Sequence, residues 1–342
     1  MSDRAPNARL MRRLGLVEGT REGLAITRRK RGEGWSFIGP SGKPIAAKAV
    51  IDRLNALAMP PAYSDVRYAA DPKAHLQAVG IDAEGRPQYR YHPDWVAVRE
   101  GAKARRLQRI TAALPRIRRA LKRDLKTHGV PKLLALAACV DLISRTAIRA
   151  GGERYEAERG HRGATTLLKR NVQVRSGAIR LAFRGKGGKD IERCATAPQL
   201  CSALRRLLAL PGRHLFQYRR DDGTVARLRA GDVNAYLKQI AGSAISLKDF
   251  RTLLGSSLVA GHLAGEDPSP SAAARKRQIK AAVTLAAEEL ANTPAIARKS
   301  YVHDAVVEAF ESGKLKRIAR RRAAVKSDTA RVELLAAVIK AA

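Results

Sequence analysis

The chain has 342 residues, with 66 Lys and Arg against 31 Asp and Glu, which gives a formal net charge of +35. A compact fold with this charge repels itself unless a polyanion offsets it, and nucleic acid is the natural polyanion because phosphate neutralisation releases counterions. Hydrophobic residues make up 45% of the chain, which is enough for a folded core, and the length favours two domains. Charge alone therefore indicates nucleic-acid binding and leaves catalysis open.

The three cysteines, Cys139, Cys194 and Cys201, form no CxxC pair, which argues against a zinc site or a disulfide framework and fits a reduced cytosol. The first residues are basic and lack the apolar segment of a secretory signal. No run approaches the roughly 18 apolar residues of a membrane helix, and no lipid-anchor motif is present. The sequence predicts a cytoplasmic, nucleoid-associated protein without a membrane partner.

The N-terminal part predicts a small α+β domain. Residues 1–30 are basic and poorly patterned, which predicts a loose and possibly flexible arm. A strand over residues 35–38, closed by a Gly- and Pro-rich turn, precedes a helix over residues 46–57 with apolar residues at helical spacing. Residues 66–91 predict short strands, with a hairpin turn at residues 83–86. The small domain is expected to span residues 31–95.

Residues 96–342 predict a larger, mostly helical domain with one small hairpin sheet, so that the fold class is α+β. A basic helix over residues 99–127 precedes an amphipathic helix whose single buried stripe is Leu133, Leu136, Val140 and Ile143. A hairpin is predicted over residues 172–194. From residue 231 onward the pattern is helical and ends in a basic tail around residues 317–322.

Several common site types are missing from the sequence. It contains no GxxxxGK[ST] phosphate loop, no HExxH, no EF-hand loop and no acidic cluster typical of two-metal nucleases. No cofactor or metal is therefore expected. If the protein cuts a phosphodiester, fixed guanidinium groups are the best stabilisers of the transition-state charge, because they are planar and always charged.

Four segments combine cations with residues that suit such chemistry: IRAGGERY at 148–155, FRGKGGK at 183–189, KDFRT at 248–252 and NTPAIARKSYVH at 292–303. Each also has an ordinary interpretation when it is taken alone. These are, in order, a solvated Arg beside a C-cap glycine, an exposed turn, a surface ion pair, and an Asn-capped helix with an amphipathic Tyr.

In this order the segments resemble the catalytic set of the type IB DNA topoisomerases, most closely the bacterial and poxvirus branch. Two further segments match, MPPAYSDVRYAADPKAHLQAVGIDAEGRPQYRYHPDW at 59–95 and GATTLLKRNV at 163–172. The resemblance covers about residues 31 to 310. It implies relaxation of supercoiled duplex DNA by a monomer that clamps around the DNA and needs no ATP and no metal.

The resemblance implies a catalytic role for five residues. Tyr301 would attack the phosphodiester and form a 3′-phosphotyrosyl bond, while Arg149, Arg251 and Asn292 would contact the non-bridging oxygens. Lys186 would protonate the departing 5′-oxygen. Tyrosine has a pKa near ~10, and clustered cations would favour its phenolate and stabilise the charge on phosphorus.

The resemblance also implies four DNA contacts, namely Gln88, Tyr89 and Tyr91 in the small domain and Tyr155 in the large one. The chain departs from the family pattern at three points. Leu-Leu-Gly follows Arg251 and Thr252, where many relatives have an aromatic residue, which removes no catalytic group. Asn292 stands where some relatives have His, and an amide cannot act as a general acid. The sequence after Lys189 differs from the usual polar ending, which puts a role of Lys189 in doubt.

Two other functions fit part of the pattern. A tyrosine recombinase shares the chemistry but usually has His-x-x-Arg where this chain has Lys248 and Arg251. A non-enzymatic architectural DNA-binding protein is the other alternative, because the strongly basic composition alone would be sufficient for it.

Overall fold

The computed structural model describes residues 4–320 and 327–342, apart from the side chains of residues 4–6, 154, 155 and 159. Its contacts divide the chain into two compact units, one that ends at Ala102 and one that begins at Lys103. The α+β class is confirmed, because an antiparallel sheet dominates the first unit and helices dominate the second. No described helix is long and apolar enough to cross a bilayer.

The elements of the first unit are α1 (Arg4–Arg13), β1 (Ile26–Arg31), β2 (Gly34–Ile38), α2 (Lys48–Ala56), β3 (Ser64–Tyr68), β4 (Leu76–Ile81) and β5 (Pro87–Tyr91). The strands form a five-stranded antiparallel sheet of order β2-β1-β3-β4-β5. One face of the sheet packs against α2, whose Leu54 is buried against Phe37, Val66 and Tyr68. The predicted helix and the hairpin between β4 and β5 are confirmed.

The prediction of a loose arm over residues 1–30 is wrong for the described part of that segment. Strand β1 pairs with both β2 and β3, so it is an internal strand of the sheet. Met11 and Leu16 are buried together with Val98. The sequence pattern did not show these few buried apolar residues, because Lys and Arg occupy the many solvent-facing positions of the same elements.

The second unit is mostly helical. The boundary between the two units lies within helix α3 (Trp95–Asp124). After α3, the second unit contains two small sheets among its helices. The further elements are α4 (Lys132–Thr146), α5 (Glu153–Arg159), β6 (Val172–Arg175), β7 (Ala178–Arg184), β8 (Asp190–Thr196), α6 (Pro198–Leu208), β9 (Gln217–Arg219), β10 (Val225–Arg227), α7 (Ala230–Ala241), α8 (Leu247–Leu263), α9 (Ala272–Glu289), α10 (Pro294–Tyr301), α11 (Asp304–Glu311), α12 (Lys314–Arg320) and α13 (Asp328–Ala341).

Two sequence predictions in this unit need correction. Helix α4 does not have a single buried stripe, because Leu133 is 40% exposed while Leu134, Ala135 and Ala138 are fully buried. The helix is surrounded by other elements, so amphipathic spacing does not identify its buried side. The hairpin predicted over residues 172–194 is a three-stranded sheet of order β6-β7-β8. The basic tail around residues 317–322 lies partly outside the described residues.

Candidate active site

The backbone at Arg149 is fixed where the chain leaves α4. The helix ends at Thr146, and Ala147 takes the left-handed conformation with φ 46°, so Arg149 lies beyond the helix and not at its end beside a capping glycine. The backbone carbonyl of Arg149 accepts a hydrogen bond of 2.8 Å from the N–H of Ala164. A Cβ at Gly163 would lie 2.5 Å from that carbonyl oxygen, so only glycine permits this approach.

The side chains of Arg149 and Asn292 are bonded to each other, although they are far apart in the sequence. Arg149 Nη2 donates to Asn292 Oδ1 over 2.6 Å. The prediction that Asn292 caps the following helix is wrong, because Thr293 is the N-cap of α10 and its hydroxyl accepts from the N–H of Ile296. Asn292 is therefore available to hold the guanidinium of Arg149.

Arg251 is held by the C-terminal ends of two helices. It is only 4% exposed, and its terminal nitrogens donate to the carbonyl of Ala147 and, over 2.7 Å, to the carbonyl of Leu290. These carbonyls follow α4 and α9, where the helix dipole is negative and favours a cation. Burial lowers the pKa of Arg251, and the neighbouring Arg149 lowers it further. The interpretation of this segment as a surface ion pair is wrong.

Tyr301, the last residue of α10, lies directly against Arg251. The tyrosine is 8% exposed and packs with Ala147 and Leu290, and the guanidinium carbon of Arg251 is 4.8 Å from the ring centroid. The ammonium of Lys248 is 5.9 Å from the same centroid. Burial raises the pKa of Tyr301, but the charges of Arg251, Arg149 and Lys248 outweigh burial, so the pKa is below the usual value of a tyrosine.

The backbone of Tyr301 is positioned by α8. The hydroxyl of Ser256 donates to the carbonyl of Tyr301 over 2.9 Å and accepts from the N–H of His303 over 3.1 Å. A Cβ at Gly255 would lie 2.9 Å from the carbonyl oxygen of Tyr301. Helix α8 therefore carries Arg251 and also sets the place of the tyrosine.

Lys186 is exposed on the tight turn between β7 and β8. The N–H of Gly185 donates to the carbonyl of Lys189 over 2.7 Å, and Gly187 and Gly188 take φ values of 75° and 74°. These backbone angles require glycine, so the turn holds Lys186 at its tip.

One pocket brings three of the five predicted catalytic residues together. Arg149, Lys186 and Arg251 all line it, and Asn292 and Tyr301 adjoin it through their contacts with Arg149 and Arg251. Sequence reasoning missed Arg193, which lines the same pocket. The other described lining residues are Thr146, Ala147, Ile148, Arg162, Phe183, Gly185, Ile191, Leu290 and Ala291.

Among the described residues, the pocket lining includes none of the predicted DNA-contact residues. Gln88, Tyr89 and Tyr91 are on the edge strand β5 of the first unit, where neighbouring side chains point to opposite faces of the sheet. Tyr89 and Tyr91 share one face with ring centroids 6.2 Å apart, while Gln88 faces the other way and donates to Asp82 over 2.9 Å. The side chain of Tyr155 lies outside the described residues.

Residues 95–329 match the family model described as eukaryotic DNA topoisomerase I, catalytic core, and residues 34–82 match that of the bacterial DNA topoisomerase IB N-terminal domain. The chain belongs to the type IB DNA topoisomerase family. A relative in this family, DNA topoisomerase 1B of Acanthamoeba polyphaga mimivirus, is 30% identical over 269 residues, which cover 77% of this chain and 80% of the viral protein. As a type IB topoisomerase, the protein is an enzyme that changes DNA topology.

Proposed function

We propose that the protein relaxes supercoiled duplex DNA by cutting one strand through a covalent 3′-phosphotyrosyl bond to Tyr301 and then resealing it. The observation that carries the proposal is the contact of the buried Tyr301 with Arg251, at a pocket that Arg149 and Lys186 also line. A tyrosine among cations can attack a phosphate near neutral pH, because the cations favour its phenolate.

The proposed chemistry balances without an outside reactant. Tyr301 releases its phenolic proton to solvent and its oxygen bonds to phosphorus. The bond from phosphorus to the 5′-oxygen breaks, and Lys186 gives a proton to that oxygen and is protonated again from solvent. Arg149 and Arg251 stabilise the charge on the non-bridging oxygens, and Asn292 orients Arg149. Reversal of these steps reseals the strand after the free end has turned.

The phosphotyrosyl bond conserves the energy of the broken diester, so the proposal requires no ATP. The pocket cations take the part that a metal ion plays in other phosphoryl-transfer enzymes. Among residues 4–320 and 327–342, no three His, Cys, Asp or Glu side chains form a group that could hold a metal ion. Gln88, Tyr89, Tyr91 and Tyr155 are proposed to contact the duplex, and a single chain is proposed to enclose it.

The first test is relaxation of a supercoiled plasmid in EDTA without ATP. We expect full relaxation by the wild-type protein. A tyrosine recombinase would relax such a plasmid poorly and need paired sites, and an architectural protein would change its topology only while bound. An absolute requirement for Mg²⁺ would contradict the proposed mechanism.

The nucleophile is tested with Tyr301→Phe, which keeps the ring and its packing but removes the attacking oxygen. This variant should bind duplex DNA like the wild type and form no covalent adduct on a denaturing gel. An adduct at the 3′ end of the cut strand in this variant would mean that another residue is the nucleophile.

A further inference from the structure

Arg193 is a cation on the inward face of a strand. In the register of β7 and β8 it pairs with Leu181, while Ile191 pairs with Phe183, and these three apolar residues are buried. Its neighbours on β8, Glu192 and Cys194, are exposed. Strand alternation therefore places the Arg193 side chain, which is only 17% exposed, where an apolar residue is expected.

The guanidinium of Arg193 is held in place by backbone carbonyls. Nη1 donates to the carbonyl of Glu192 over 2.6 Å, and Nη2 donates to the carbonyl of Glu289. The latter carbonyl belongs to the last turn of α9, next to the Leu290 carbonyl that binds Arg251. Arg193 thus joins the strand that follows the Lys186 turn to the helix end that holds Arg251.

The third guanidinium nitrogen, Nε, makes no hydrogen bond to any described residue. The Nε of Arg193 is buried and has no hydrogen-bond partner among the described residues, and its distance of 3.8 Å to the carboxylate of Glu289 is too long for a hydrogen bond. The Nε of Arg251 is in the same condition. Buried donors without a partner are costly, so an acceptor bound close to these two would be favoured.

The charges around the pocket define that acceptor. Arg149, Lys186, Arg193 and Arg251 line it, and none of its described lining residues is Asp or Glu. Such a pocket favours an anion with several acceptor oxygens, and guanidinium groups match the geometry of a phosphate. The phosphodiester that Tyr301 is proposed to attack has this chemistry.

We propose that Arg193 is a further catalytic residue, whose guanidinium binds a non-bridging oxygen of the scissile phosphate. The inference rests on the proposed function of Tyr301, Lys186 and Arg251, and it adds a cation that their motifs do not contain. It also gives a reason for placing a charged residue at an apolar position of β8.

The test measures single-turnover formation of the covalent adduct on two duplexes, one with a normal scissile phosphate and one with a neutral methylphosphonate in its place. On the normal duplex, Arg193→Ala should form the adduct about 10- to 100-fold slower than wild type. On one of the two methylphosphonate diastereomers, the variant should come within about threefold of wild type, because the charged oxygen that Arg193 contacts is gone.

Arg180→Ala is the matched control. Arg180 lies on the neighbouring strand β7, is 58% exposed and pairs with Glu192. Its loss should leave the rate of adduct formation unchanged on the normal duplex and on both methylphosphonate diastereomers. Equal slowing of Arg193→Ala on the normal duplex and on both diastereomers would overturn the proposal, since Arg193 would then act only through the fold. The absence of slowing on every duplex would overturn it as well.

Arg193→Lys covers the case in which the alanine variant does not fold, as judged by its thermal unfolding. Lysine keeps the charge but not the planar guanidinium, so this variant should form the adduct more slowly than wild type on the normal duplex. Its difference in rate from wild type should be smaller on the methylphosphonate diastereomer that restores Arg193→Ala. The wild-type protein separates the two proposals. If it forms no Tyr301-dependent adduct, the proposed function fails together with this inference, whereas a normal wild-type adduct with unaffected Arg193 variants overturns this inference alone.

Discussion

The side chain of Lys186 is less constrained than those of Arg149 and Arg251. Arg149 and Arg251 are fixed by hydrogen bonds, whereas Lys186 is exposed at the tip of a glycine turn. A side chain that can approach the leaving oxygen and withdraw suits a proton donor, and general acid catalysis typically contributes ~10²–10⁴-fold.

We therefore expect Lys186→Ala to cleave normal DNA slower by about 10²–10⁴-fold. A duplex with sulfur in place of the bridging 5′-oxygen releases a thiolate that hardly needs a proton, so on it the variant should nearly match wild type. Arg251→Ala, the comparison, should stay slow on both duplexes in the same single-turnover assay. Failure of sulfur to rescue Lys186→Ala would show that this lysine is not the acid.

Gly255 is predicted to matter for the position of the tyrosine. An added Cβ would lie 2.9 Å from the carbonyl oxygen of Tyr301 and 3.1 Å from its Cβ, so the nucleophile would have to shift. A misplacement of about 1 Å can cost about 10²-fold in rate, so Gly255→Ala should slow adduct formation by about 10- to 100-fold while duplex binding is kept.

The control for this prediction is Gly231→Ala in α7, where an added Cβ meets no atom within 4 Å. It should cleave like wild type in a single-turnover assay. Equal rates for the two glycine variants would mean that α8 does not set the position of Tyr301.

The C-terminal ends of α4 and α9 form part of the pocket. Ala147 after α4 and Ala291 after α9 take left-handed conformations with φ of 46° and 48°, and the carbonyls beside these turns bind Arg251 and Arg193. The negative ends of the two helices hold both guanidinium groups through backbone carbonyls. The carboxylate of Glu289 lies 3.8 Å from the Nε of Arg193, and none of the described residues that line the pocket is Asp or Glu, so the pocket keeps positive charge for a phosphate.

The carboxylate of Glu156 on helix α5 contacts three other side chains. Glu156 is bonded to Arg162 Nη1 over 2.7 Å, to His214 Nε2 over 3.0 Å and to Arg227. Burial raises the pKa of Glu156, but these three hydrogen bonds outweigh it and lower the pKa to about 2. Because the folded-state pKa is depressed, the stabilisation is present above the unfolded pKa of about 4.5 and is lost as the pH falls toward 2.

Glu156→Gln should lower the free energy of unfolding at pH 7 by up to about 3 kcal/mol, and the difference from wild type should shrink as the pH falls below about 4.5. Denaturant unfolding at several pH values measures this. Glu153→Gln on the same helix is the control, because Glu153 is 58% exposed and lies 3.8 Å from Arg229, so its loss should change little. A pH-independent difference for Glu156→Gln would contradict the assigned role.

The sequence predicted some residues of the candidate site but not the contacts between them. Arg149, Lys186 and Arg251 were identified because their segments, in this order, resemble those of the type IB family, and the fold brings them to one pocket. The bond between Arg149 and Asn292 could not be predicted, because it joins segments 143 positions apart. Arg193 was missed since only strand register shows that a charge occupies an apolar position.

The whole molecule carries a net charge of +35, which no local arrangement of carboxylates can offset. Some acidic residues are already engaged in ion pairs, as Glu156 and Asp304 are with Arg162 and Arg298. The excess cations therefore need an external partner, and a duplex supplies it as a line of phosphates. Counterions released from those phosphates make binding stronger at low salt.

A steep dependence of DNA binding on salt follows from this excess charge. The affinity of the non-cleaving variant Tyr301→Phe for relaxed duplex should fall steeply with salt, with a slope of about −0.9 in log K against log salt for each phosphate contact. With roughly six to ten contacts, the affinity should drop by about 10³–10⁵ between 50 and 200 mM salt. Filter binding or fluorescence anisotropy over that range gives the slope, and the use of Tyr301→Phe keeps cleavage out of the equilibrium. A flat response would mean that base contacts or apolar burial dominate binding, and the net charge of the chain would then need another partner.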